Sequence, residues 1–489
     1  MSFPNISAAQ RKFSYHLSVM KVIHWLLGLS CILLGVFSES SEAFMIAVCL
    51  GSLCGLIMLL RMLTNPGEIR LFYLLSISLL LGYAFSTLLY MVNFFSFYGY
   101  IQLIGINFPG YTQLDLSIAL VLIYVSASLL TWLSRFERPL FAKVNIHHLF
   151  EDARTRIFVF GITAFTFLSF FIWESLGYMG IQTQETGNIS APAEISAIFA
   201  TIIPSLLLLI LFQVNKIKFR LIIIFSIFLS FFITAVMGRR VLLYTLLTSV
   251  LVYVMRSSKG KMRYTGRHFF IGLFALFLLY YGFVFFFSMR NTIYALGTSD
   301  VHLEELLIQT FKFMKNGGGD FNNSMRLNLI ERPFILPYVA VLLSGLERSQ
   351  PLYGSLMIWA MKLAIPSAIM PDKMNNLSGD AETLIHPQFG LPIFDGPDSI
   401  ITAGIADFGF VGAVLYPVFM VICYLGLIRF VGKFSPPFVL LFVILSLVFH
   451  TLYIEEGLNG LLTSTPRDLL LVAIIMTALW KFFSPARRS

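Results

Sequence analysis

The sequence predicts an all-α polytopic membrane protein, and three observations carry that reading. Hydrophobic residues make up 57% of the 489 positions and charged residues 12%, roughly half the charge of a soluble domain. Apolar runs of about 20 residues recur along the chain, each long enough to cross a bilayer as a helix. The basic residues sit in short stretches between those runs. The short alternating strands of a transmembrane barrel do not occur. A net charge of +9 placed this way sets membrane orientation, and nucleic acid is excluded as a partner.

Twelve spans follow in order, near 18–37, 43–63, 70–92, 114–134, 157–175, 194–213, 220–237, 241–255, 268–289, 401–428, 437–454 and 466–483. The first carries Arg11, Lys12 and Lys21 ahead of it like a signal peptide, but no small-residue cleavage site follows, so it reads as a retained helix. Cys31, Cys49, Cys54 and Cys423 all fall within apolar runs and read as small core residues. With the N-terminus in the cytoplasm, the cytoplasmic stretches hold 23 of the 34 Lys and Arg residues. Seven of the other 11 lie in one long polar segment, whose length frees it from the charge rule. Both termini are therefore expected inside and that segment outside. The predicted organisation is nine spans over 1–289, a large periplasmic loop over 290–400, and three spans over 401–489.

The large loop organises the rest, because every other polar stretch is short. Leu303, Leu306, Leu307, Phe311 and Met314 recur at helical spacing with Glu304, Glu305, Lys312 and Lys315 between them. That pattern predicts an amphipathic helix lying on the membrane or over the bundle, stopping at Gly317. The apolar runs 333–345 and 355–370 are short and interrupted by proline, and they read as interfacial or re-entrant helices; as full spans they would raise the count to fourteen.

Chemistry is sought among the charges that break the outer pattern. Arg239 and Arg240 stand at an outer hairpin and Arg290 closes the following span. Either the paired arginines snorkel to lipid phosphates, or the three form a cationic cluster able to hold a diphosphate bidentately. Arg326, Arg332 and Lys373 in the loop bind phosphate or acidic sugar, or balance the loop's acids. Asp380, Glu382 and His386 stand within seven residues and are the candidate general bases, with solvated loop residues as the competing account. His450 with Glu455 and Glu456 reads either as a relay or as the cap of an outer loop. Glu39 and Glu42 form a weak acidic pair, and no zinc, P-loop, dinucleotide or Ser–His–Asp pattern is present. No metal or cofactor is expected.

Three stretches carry a family resemblance: GRRVLLYTLL, YGSLMIWAMKLAIPSAIMPDK and DSIITAGIADFGFVGAVLYPVF. In order and spacing across about residues 220–430 the chain resembles the O-antigen polymerases, the Wzy-type oligosaccharide repeat unit polymerases. The resemblance implies a GT-C-like fold in the bacterial inner membrane and a glycosyltransferase working on undecaprenyl-diphosphate-linked oligosaccharides at the periplasmic face. It also implies a repeat-unit flippase and a chain-length regulator as partners. An O-antigen ligase, with the same donor, or a twelve-span flippase is the alternative reading.

Overall fold

The computed structural model describes residues 8–64, 69–89, 110–141, 153–175, 217–233, 266–296, 302–316, 335–365, 381–392 and 396–482, with 207, 211, 245, 249 and 370. Every regular element among them is a helix. In chain order these are α1 (Ala8–Val36), α2 (Ser41–Thr64), α3 (Leu71–Leu79, prolonged by a π-helical turn Leu80–Phe85) and α4 (Gln113–Leu133). Next come α5 (Ala153–Ser175), α6 (Ile217–Ile233), α7 (Gly266–Leu296) and α8 (Leu303–Asn316). The last are α9 (Leu336–Leu346), α10 (Ser355–Ala364), α11 (Glu382–Gln388), α12 (Ile400–Phe434), α13 (Pro437–Leu452) and α14 (Thr465–Phe482), which a π-helical turn Asn459–Ser464 precedes.

Among the described residues, six segments are long and apolar enough to cross a membrane: Val19–Val36, Ser41–Thr64, Leu71–Leu89, Gln113–Phe136, Ile400–Phe434 and Asn459–Phe482. The chain is thus a multi-pass helical membrane protein. Each of the six falls on a predicted span, and α5, α6, α7 and α13 fall on four more. The spans predicted at 194–213 and 241–255 lie almost wholly outside the described residues.

Helix starts follow from local chemistry. Thr112 accepts the Asp115 N–H at 3.2 Å while Asp115 takes the Thr112 N–H at 2.6 Å, a reciprocal cap for α4. Ser399 and Thr402 do the same for α12. Helix α3 begins at Arg70, which offers no cap, so its first N–H groups look elsewhere. The buried carboxylate of Glu137 accepts them, Leu71 at 2.7 Å and Phe72 at 3.0 Å. Burial pushes the Glu137 carboxyl up to about 7, opposed by those two backbone bonds and by Arg70.

All nine residues of α3 are buried, and the helix lies between α4 and α13 at the centre of the larger core. Contacts between spans are polar where side chains are small: the Ser76 hydroxyl reaches the Ala127 carbonyl at 2.8 Å and Thr131 Oγ1 at 2.8 Å. Such bonds hold helices together where lipid gives no hydrophobic drive. A second core joins Phe170 and Trp173 of α5, Leu229 and Phe232 of α6, Phe286, Met289 and Ile293 of α7, and Leu306 of α8.

Helix α8 is the predicted amphipathic helix. Its Leu303, Leu306 and Leu307 pack on the second core, while Phe311 stays exposed with its ring 6.0 Å from that of Phe285 on α7. Glu304, Glu305, Lys312 and Lys315 point away, exposed. Glu174 at the end of α5 accepts the Leu303 N–H at 3.1 Å and fixes the start of α8. Helix α7 runs on past Arg290 to Leu296. One sequence expectation needs correction: Cys49 is exposed on α2, and only Cys54 of the four cysteines is buried.

The span expected at 401–428 is two helices. Phe408 (φ −137°, ψ 19°) and Gly409 (φ 61°, ψ −140°) leave helical geometry inside Ile400–Phe434. The left-handed φ at Gly409 needs glycine. The turn folds the short first piece back so that Gly404 and Gly412 meet backbone to backbone, with no room for a side chain at either. A straight helix would separate these two residues by about 12 Å.

Candidate functional site

The broken helix α12 positions the segment that precedes it. The N–H groups of Leu352 and Tyr353 donate to the carbonyls of Ala406 and Asp407 at 2.8 and 2.9 Å. The chain then turns through Tyr353 and Gly354 with left-handed φ of 50° and 87°, and Phe408 closes over Gly354. Helix α10 starts there without a cap of its own. The fully buried carboxylate of Asp407 supplies one, accepting from Leu356 N–H at 3.0 Å and Met357 N–H at 3.0 Å. Tyr416 donates its hydroxyl to the same carboxylate. An anion on a helix N-terminus meets both unpaired donors and the positive end of the dipole.

The other end of α10 meets a cation. Arg467 directs Nη1 to the Ala364 carbonyl at 3.4 Å and Nε to Asp468 Oδ1 at 2.8 Å. Its side chain stays 36% exposed, and its Nη2 bonds to no described residue. Helix α10, whose Leu356, Trp359, Ala360 and Leu363 are buried, packs along the π-helical turn Asn459–Ser464.

Beside Arg467 the loop after α13 gathers further polar groups. His450 Nδ1 lies 2.8 Å from Glu456 Oε2, with the two side chains 25% and 14% exposed. Asp468 lies within electrostatic reach of His450. The Glu456 carboxylate rests on Gly460, where a side chain would meet Oε1 at 2.6 Å, and Asp398 lies over Gly457. Ile454 packs onto Gly82, about 10 Å along α3 from its last described residue, Leu89. The loop therefore lies against the flank of α3, and its polar groups together with those at the start of α14 form one polar corner of the bundle.

The sequence candidates distribute unevenly around this polar corner. Arg239, Arg240, Arg326, Arg332, Lys373 and Asp380 lie outside the described residues. Arg290 is half-buried on α7, between the second-core residues Met289 and Ile293. Glu382 is half-buried in the first turn of α11. His386 on the same helix has no exposed surface, and its Nε2 sits 2.9 Å from the Tyr338 hydroxyl of α9. Burial pushes the imidazole down to about 4, a Pro392 backbone hydrogen bond acting the other way, so His386 is neutral at physiological pH. Helix α11 ends in a Schellman turn, Leu391 N–H to the His386 carbonyl at 2.8 Å, with Gly390 at φ 66°.

Glu42 accepts the Ser40 hydroxyl at 2.9 Å at the start of α2, and Glu39 is exposed in the turn before it. Among the described residues no group of three or more His, Cys, Asp or Glu side chains is arranged to hold a metal. The Asp407 and Arg467 contacts with α10 had no signal in the sequence, since each joins residues 50 or more positions apart. His450 with Glu456 had one, the short spacing between an imidazole and two acids. No family model, curated protein or solved structure matches this chain.

Proposed function

We propose that this protein is a polysaccharide polymerase of the inner membrane, joining undecaprenyl-diphosphate-linked oligosaccharide units on the periplasmic face. One observation carries the reading. In a bundle of apolar helices, a part-exposed guanidinium, a histidine–carboxylate pair and two further acids are gathered in and around the one connection between α13 and α14. The order of the three sequence stretches that resemble the O-antigen polymerases supports the same conclusion. The fold proposed is of the GT-C-like kind, with twelve spans and both termini in the cytoplasm.

The chemistry is a glycosyl transfer between two lipid-linked substrates. The donor chain leaves its diphosphate, which departs with the bonding electrons. A bidentate arginine stabilises the developing charge without a metal. Arg239, Arg240, Arg290, Arg326, Arg332 and Lys373 are the proposed diphosphate ligands from the sequence, and Arg467 joins them from the start of α14. A base removes the proton of the acceptor hydroxyl as the new bond forms; Asp380, Glu382 and His386 are the bases that the sequence nominates. A repeat-unit flippase and a chain-length regulator are the proposed partners.

The test is deletion of the gene followed by gel analysis of surface polysaccharide. A polymerase deletion leaves a single repeat unit on the surface and loses the ladder, and the wild-type gene restores it. Complete absence of surface units with lipid-linked units outside indicates a ligase. Units stranded inside indicate a flippase. Either of those outcomes overturns the proposal.

A further inference from the structure

We propose that His450, oriented by Glu456, is the general base that takes the acceptor's proton; this rests on the polymerase reading above. Glu456 Oε2 stands 2.8 Å from His450 Nδ1. A carboxylate there accepts the Nδ1 proton, which fixes the tautomer and leaves the lone pair on Nε2. No described residue bonds to that Nε2, and the side chain is 25% exposed. The ring is steadied on its other side by Phe449, edge to face at 5.4 Å.

The remaining described histidines with placed side chains differ in kind. His386 is fully buried with Nε2 on Tyr338. His24 meets the Ser128 hydroxyl at 2.7 Å and has no carboxylate beside it. His302 stands 3.7 Å from Glu174, beyond hydrogen-bond distance. His450 alone among them joins a bonded carboxylate to an accessible second nitrogen. Arg467, bonded to Asp468 at 2.8 Å, opens the helix that follows the same loop. A base at the end of α13 and a guanidinium at the start of α14 thus flank one short connection, and these are the two groups that transfer from a diphosphate uses.

The step balances as follows. His450 Nε2 takes the proton of the acceptor sugar hydroxyl, whose oxygen bonds to the donor's anomeric carbon. The bond from that carbon to the diphosphate oxygen breaks, and the lipid diphosphate leaves with the electron pair. Glu456 offsets the imidazolium formed, which later returns its proton to water.

The experiment uses the full-length protein in the deletion strain and in membrane vesicles, with lipid-linked units extracted from that strain as substrate. Wild type, His450→Gln, Glu456→Gln and Glu456→Asp are compared at matched membrane levels. Chain extension by His450→Gln falls about a hundredfold or more, the usual contribution of a positioned base. Glu456→Gln keeps a partner for Nδ1 but removes the charge that favours imidazolium, so the acid limb of its pH–rate profile moves to lower pH. Glu456→Asp retains the wild-type limb. A merely structural contact would lower activity without moving the limb. If His450→Gln does not reach the membrane, the limb of the Glu456 variants decides. Near-normal extension by His450→Gln, or an unmoved limb in Glu456→Gln, overturns the base assignment while wild-type activity keeps the polymerase reading. Failure of wild type itself to extend chains overturns both.

Discussion

Replacing Asp407 by Ala removes the acceptor on which the start of α10 depends. Two backbone N–H groups, at 3.0 and 3.0 Å, and the Tyr416 hydroxyl lose their partner in a site without exposed surface. Each buried donor left unpaired costs about 1–3 kcal/mol. Partial recovery by water or a shifted Tyr416 brings the total to about 3–5 kcal/mol. Asp407→Asn keeps one carbonyl oxygen and turns an NH2 toward a donor, so its cost is smaller, about 1–3 kcal/mol. Tyr416→Phe loses one bond and should cost least. The measurement is the unfolding midpoint of purified protein in detergent by intrinsic fluorescence, with limited proteolysis to locate the opening. The order expected is Asp407→Ala below Asp407→Asn below Tyr416→Phe below wild type, with new cleavage around residues 349–357. A midpoint for Asp407→Ala within a degree of wild type, with unchanged cleavage, would refute the capping argument.

Two further outcomes are expected. Gly412→Ala places a methyl group against the Gly404 backbone, which cannot yield as a flexible side chain can, so membrane level measured with a fluorescent fusion should fall strongly; Gly426→Ala, with open space around it, should not alter it. For Glu137 the folded carboxyl titrates near 7 against an ordinary 4.5. The native state therefore binds the extra proton between those values, and stability declines as pH rises from 4.5 to 7, by up to about 3 kcal/mol. Glu137→Gln, which cannot ionise, should flatten the dependence of the unfolding midpoint on pH over that window, and an unchanged slope would show that Glu137 is not its source.

The six spans found among the described residues were legible because lipid leaves the backbone few choices: an apolar run of sufficient length becomes a helix. Helix α8 was legible from its spacing, and its docking on α7 decided between the two places the pattern allowed. The break at Phe408 and Gly409 was not, since hydropathy rises smoothly through that apolar run and a glycine within it carries no sign of its φ. Asp407 lies within the span expected at 401–428 and belongs to no pattern that would single it out. Its partners lie some fifty positions upstream, a distance that no local pattern encodes. His386 sits in a polar stretch that resembles loop, yet a Schellman turn and Tyr338 bury it completely. His450 and Glu456 were visible as neighbours in sequence, and only the fold of the 453–458 loop decided that the acid turns back to the imidazole.

The clamp on α10 also bears on how the protein is made. Ten residues are too few for a helix to persist alone, and both of its end partners, Asp407 and Arg467, lie downstream of it. A chain synthesised from its N-terminus therefore exposes residues 355–364 before either of these two partners exists. The segment waits for them until α12 has folded back on itself and α14 has inserted. Assembly of this corner is then a late and nearly simultaneous event, closed by the last hundred residues, and a chain shortened before Arg467 would keep most of its spans yet leave α10 fastened at one end only.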